Sequence, residues 1–238
     1  MSKKAWIIFA TVCVALLAGL IYVSSKDKIN VSSVDINKIQ SGNDQSGGIA
    51  DHVFGKADSK VQFTEYGDFQ CPGCGSAYPK VKKVTEKYKD QVAFIFRNFP
   101  LVSAHPNARA AAAAAEAAGL QGKYWEMHDK LYENQLAWQN LSAAERTPSF
   151  ASYANEFGLN VETFKSDMTS AKVNQKISFD QAVGKKAKVD ATPTFYLNGQ
   201  KSPDIYDSQG GVDEAKLDTA FADALKKNGI ALPAGTQE

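Results

Sequence analysis

The sequence predicts an α/β domain: a strand–helix–strand unit, then a long helical block, then a β-hairpin and a last helix. Three observations predict it. Residues 61–66 and 92–99 are β-branched and aromatic runs. Tyr78, Val81, Val84 and Tyr88 recur between them at helical spacing, which makes the two strands a parallel pair. Asn198-Gly199, after the short run Thr194-Phe195-Tyr196-Leu197, is a strong hairpin turn.

The elements follow in chain order. Residues 5–23 form a run of 19 residues without a charge. As a helix this run is about 30 Å long, the thickness of a bilayer's hydrocarbon core. Lys3 and Lys4 precede it, so the charge rule puts the amino terminus in the cytoplasm. A cleaved signal peptide would have a shorter apolar core and a small-x-small site, whereas this run ends in Tyr22-Val23-Ser24-Ser25. The expectation is an uncleaved single-pass anchor over residues 1–25, with the remainder on the extracytoplasmic side of the cell membrane. Cys13, within the run, reads as a small hydrophobe.

Residues 26–51 are rich in Ser, Asn, Asp, Gln and Gly and read as a flexible linker. The domain proper is expected over 52–238. After the strand at 61–66 a helix is expected over 72–89, and Pro100 closes the second strand. Helices are then expected over 107–118, 124–135, 148–157, 161–169 and 171–186, the first nearly all alanine. Leu217, Ala220, Phe221, Ala224 and Leu225 share one face of a last helix, which Gly229 stops.

The formal net charge is +1, and only three of the 27 basic residues are arginine, so no basic stripe favours nucleic acid. Three cysteines, at 13, 71 and 74, are too few and too clustered for a disulfide scaffold. His52, His105 and His128 lie at no ligand spacing and read as surface or helix-face residues. With no second cysteine pair, a zinc site is not expected, nor any other cofactor.

The pair Cys71-Pro72-Gly73-Cys74 stands where a strand turns into a helix. Pro72 suits the first helical position, where its missing N–H would be unpaired anyway. A helix amino terminus favours negative charge, so the Cys71 thiolate is favoured. Cys74, one turn on, is within bridging reach, and the pair can cycle between dithiol and disulfide. An inert structural disulfide is the competing reading. Far along the chain, Thr192-Pro193 precedes a strand, and a cis bond there would present the Thr192 backbone to a peptide beside the cysteines.

Glu65-Tyr66-Gly67-Asp68-Phe69-Gln70-Cys71-Pro72-Gly73-Cys74 resembles the active-site signature of the DsbA-like branch of the thioredoxin superfamily. Thr192-Pro193-Thr194-Phe195 matches that branch's Thr-Pro segment. Phe99-Pro100-Leu101, His105-Pro106, Ala108 and Tyr124-Trp125 match marks of its helical insertion, here about 103–186. The resemblance implies a thioredoxin-like fold and a thiol:disulfide oxidoreductase, expected to introduce disulfides into exported proteins; the alternatives are a disulfide reductase or isomerase on the same fold, or a non-catalytic chaperone-like binding module. Cys71 would be the exposed attacking cysteine, Cys74 the buried resolving one, and Pro193 a cis proline that helps dock substrate. Glu65 would be a proton relay beneath Cys74. It also implies exported cysteine-containing proteins as substrates, a quinone-coupled membrane protein as re-oxidant, and a monomer. Gly73 departs from the best-known member, whose histidine there supports the thiolate.

Overall fold

The computed structural model describes residues 2–26 and 29–234 and separates an amino-terminal unit, Met1–Asn30, from the unit Val31–Glu238. In the first unit, α1 (Lys3–Lys26) forms where the apolar run predicts it and leaves Trp6, Ile7, Phe9, Val12, Val14, Leu16 and Leu17 exposed. Among the described residues no helix is long and apolar enough to cross a membrane. The expected anchor over residues 5–23 is therefore not borne out as a span, although its helix is present.

The second unit holds a five-stranded sheet in the order β1-β3-β2-β4-β5. Strand β1 (His52–Gly55) lies antiparallel to β3 (Val92–Asn98), which runs parallel to β2 (Val61–Gly67). Helix α2 (Pro72–Lys87) makes the β2-to-β3 crossover. On the other side of β2, β4 (Thr194–Leu197) is antiparallel, and Asn198-Gly199 turns it into β5 (Gln200–Lys201). Both turn residues have positive φ, 49° and 77°, as a tight hairpin turn requires. The helical block stands between β3 and β4: α3 (Ala108–Gly119), α4 (Tyr124–Glu133), α5 (Gln135–Trp138), α6 (Ala143–Glu156), α7 (Val161–Met168) and α8 (Ala171–Lys186). Helix α9 (Glu214–Lys227) packs Leu217, Phe221 and Leu225 into the core, with Phe221 edge-on to Phe63 of β2.

Two expectations change. Helix α6 begins five residues before Pro148, because Ser142 and Glu145 form a reciprocal capping box at its start. The flexible linker expected over 26–51 is instead held to the domain from Val31 onward. Lys186 Nζ donates to the carbonyls of Val31, Ser32 and Val34. Arg97 donates to those of Ile36 and Lys38. Asn43 caps a short 3-10 turn, and Ser46 and Ile49 are buried. Polar composition misled here because these polar groups are satisfied by specific partners rather than by water.

That segment ends in a buried ionic network. Arg97 Nη2 lies 2.8 Å from Asp51 Oδ2, and Lys176 Nζ lies 3.0 Å from Asp51 Oδ1 and 2.6 Å from Asp180 Oδ1. Burial alone would raise the Asp51 carboxyl, but Lys176 and Arg97 outweigh it and hold the pKa down at about 2.

Candidate active site

The strand-to-helix turn places the cysteine pair as its sequence suggests. Cys71 is the N-cap of α2, in extended conformation, and Pro72 occupies the first turn. The Gly75 N–H closes the first helical bond on the Cys71 carbonyl at 3.0 Å. The same carbonyl accepts a second bond, 2.9 Å from Gln135 Nε2, which also donates to the Phe69 carbonyl at 2.7 Å. Helix α5 of the insertion thus grips the turn from outside. A Cβ on Gly75 would lie 2.5 Å from Gln135 Oε1, so any side chain there would displace the gripping amide.

The two sulfurs, free thiols here, have opposite environments. The Cys71 thiol is lowered to about 5, chiefly by a hydrogen bond from Cys74; desolvation opposes this, and Thr192 and the backbone N–H groups of Cys74 and Gly73 add to it. As a thiol, Cys71 Sγ donates to the Thr192 carbonyl at 3.3 Å. As a thiolate it can accept from the Thr192 hydroxyl, which has no other partner among the described residues. Cys74 is fully buried, and its thiol is pushed far up by burial, by its bond to Cys71 and by the charge of Glu65. One sulfur is thus ready to ionise and leave while the other keeps its proton.

Thr192-Pro193 is a cis peptide, and it sits against the pair. A Cβ on Gly73 would be 3.3 Å from Pro193 Cδ and 3.7 Å from Cys71 Sγ and the Thr192 carbonyl, so Gly73, Thr192 and Pro193 meet beside Cys71, with exposed Pro72 next in the chain. Cys71 itself is 8% exposed, more covered than the resemblance implies. Glu65 is buried within β2, and its carboxyl is raised to about 8 by burial and by the charge of Cys71. Its neighbours across both strands are phenylalanines, Phe96 and Phe195, so no strand partner offers it a cation.

Several contributors were not foreseen. Gln135 lies in the helical block, where no local signal marks it. Asp68 accepts from the Leu101 and Gln70 N–H groups, both at 2.8 Å, and pairs with His105 Nδ1 at 2.8 Å, fixing the loop after β3 to the turn before Cys71. His128, expected on a surface or helix face, lies on the buried face of α4 among aromatic rings, with Phe96 at 4.8 Å and Trp125 at 5.0 Å. His52 pairs with Glu116 and stacks on Tyr124.

A central sheet, a crossover helix opened by a cysteine pair and a cis proline facing that pair define a thioredoxin-fold protein with a dithiol centre. The chain belongs to the thioredoxin family, whose model matches residues 48–218. Among solved structures it is similar to a thioredoxin-like oxidoreductase from Silicibacter pomeroyi, at 25% identity and a TM-score of 0.57, over 77% of this chain and 98% of that one. BdbD from Bacillus subtilis, in its oxidised form, shares the fold at 22% identity and a TM-score of 0.63, over 79% and 98%. A protein named Na(+)/H(+) antiporter NhaA 1 from Mycolicibacterium vanbaalenii is 36% identical over 162 residues, 66% of this chain and 25% of that protein. The chain therefore spans about a quarter of the length of the curated relatives it matches.

Proposed function

We propose that this protein is a thiol:disulfide oxidoreductase that introduces disulfides into exported proteins. The observation that carries the reading is the cysteine pair at the start of α2, with Cys71 on the Thr192 carbonyl beside the cis Thr192–Pro193 bond, in surroundings that lower the Cys71 thiol and raise that of Cys74. A thiolate stabilised in the reduced protein makes reduction favourable, which is the property of an oxidant.

In the reaction a substrate thiolate attacks Sγ of Cys71 in the Cys71–Cys74 disulfide. The S–S bond breaks and Cys74 leaves with the electron pair, taking up a proton. A second substrate thiolate attacks the substrate sulfur of the mixed disulfide and expels Cys71 as a thiolate. The substrate has lost two electrons and gained a disulfide, and the pair has been reduced. Glu65, protonated near neutrality, can supply the proton that Cys74 needs. The surface shared by Pro72, Gly73, Thr192 and Pro193 is where the substrate peptide would lie.

A quinone-coupled membrane protein would return the pair to its disulfide. The apolar side chains exposed along α1 support a place at the membrane, and Lys3 and Lys4 before the run support an extracytoplasmic domain. Relatives with a stretch 36% identical to part of this chain, within a protein named as an antiporter, fit such a place. The domain would act as a monomer. Gly73 favours a second reading, a disulfide reductase, because it puts no side chain beside the thiolate.

The test is the reduction potential of the pair against glutathione, with melting temperatures of both redox states. An oxidant melts higher when reduced and has a potential near the upper end of the range of about −270 to −120 mV seen in this fold. A potential at the lower end, with the disulfide form the more stable, would refute the oxidase and leave the reductase.

A further inference from the structure

Residues of α2, α4 and strands β1 to β3 line a cavity whose wall includes both buried Glu65 and exposed Glu86. Its water-accessible volume is about 30 Å³, against roughly 10–15 Å³ needed to hold one water. Glu65 and His128 both line it, as do buried Tyr78 and the partly exposed Lys82 and Asp129. His128 Nδ1 is 3.0 Å from Asp129 Oδ1, and Asp129 Oδ2 is 2.7 Å from Lys82 Nζ. Nδ1–H therefore donates to the carboxylate, and Nε2 carries the free lone pair. That Nε2 is fully buried and has no partner among the described residues. A buried acceptor without a partner is costly, and a cavity that can hold water explains how it is tolerated.

We infer that this cavity is the proton channel of the dithiol centre, in which water links Glu65 to His128 Nε2 and the Asp129–Lys82 pair connects His128 to solvent. The inference rests on the redox reading above. Each cycle puts one proton on Cys74 as it leaves the disulfide and removes one when the disulfide re-forms. Glu65 can serve both halves only if it exchanges its own proton with solvent between them, and Phe96 and Phe195 close the routes along the sheet. In the outward direction Cys74 gives its proton to the Glu65 carboxylate, and Glu65 gives it through water to Nε2. The imidazolium then releases the Nδ1 proton to Asp129. His128 is thus a positioning residue that acts through Glu65. Burial lowers the ring's affinity for protons, as does Lys82, while Asp129 opposes them, so the neutral ring is the resting form. The other ionisable groups that face it are Tyr78 on α2 and Tyr124 and Tyr132 on α4.

The test follows the reduced full chain with oxidised glutathione, trapping the Cys71–glutathione mixed disulfide by acid quench and mass spectrometry. The first step, attack by Cys71, should be unchanged in His128→Phe. The second, attack by Cys74, should slow by roughly tenfold or more, at the low end of what positioned proton transfer supplies. Asp129→Asn, at a partly exposed position, should slow the same step with little effect on folding. In His128→Ala, added imidazole should restore the rate. Wild-type second-step rates and pH profiles in all three variants, with Glu65→Gln slowed, would overturn the channel and leave the redox reading standing. Slowing that imidazole does not relieve would mark a packing role and overturn it equally. A full chain that exchanges with glutathione at no step would instead defeat the redox reading itself.

Discussion

Glu65 and Asp51 are both buried carboxyl groups, and their surroundings push them in opposite directions, Glu65 up to about 8 and Asp51 down to about 2. Strand alternation separates them. Arg97, next to Phe96 along β3, points to the other face, where it meets Asp51 and Tyr66, the residue after Glu65. Asp51 is held by Arg97 and Lys176, and its charge is satisfied. Glu65 has phenylalanines across both strands, and its carboxyl is left without a cation to hold it ionised. Buried polar groups with complete partners hold the fold, and those left incomplete are where chemistry can occur.

The most severe break in this comparison is removal of a sulfur. Cys71→Ser should abolish disulfide exchange, whereas Cys74→Ser should let mixed disulfides accumulate on Cys71, read by non-reducing gels or mass spectrometry. On the other face, Arg97→Met leaves Asp51 short of a partner and should cost about 3–5 kcal/mol in denaturant unfolding. Its reduction potential should stay unchanged, because Arg97 does not face the pair.

Glu65→Gln should have the opposite sign. Between pH 4.5, the ordinary value, and about 8, native Glu65 keeps a proton that the unfolded chain has lost. Its contribution to stability is full below pH 4.5 and is lost as pH rises toward 8. The glutamine variant of the reduced protein should therefore gain a few kcal/mol near pH 8 and none near pH 4. Cys71 works the other way: lowered to about 5 from 9, it stabilises the reduced form increasingly as pH rises through that interval. Urea titrations of each redox state from pH 4 to 9 separate the two slopes. The mildest test is Gly73→His. A protonated imidazole beside Cys71 should raise the reduction potential by about 30 mV for each unit by which it lowers that thiol.

The sequence made the redox face legible because its residues act through local rules. A proline after a cysteine marks a helix start, and Cys74 falls one turn on. The opposite face was not legible. Residues 31–51 look like a tether by composition, and nothing local says that Arg97 and Lys186 will hold their carbonyls. His128 shows the same limit within a helix: periodicity gives its face but not the cavity opposite. Strand β1, only four residues long and set between polar segments, offers too few alternations to read. Gln135 acts only through backbone groups more than sixty residues away, a relation no spacing rule contains.

That amide has a mechanical consequence. With the Cys71 carbonyl tied both to Gly75 and to Gln135, the main chain around the pair has little room to adjust when a bond between the sulfurs is made or broken. In the proposed cycle the pair would then turn over by rotation of two side chains rather than by rearrangement of a loop, with the insertion as a splint.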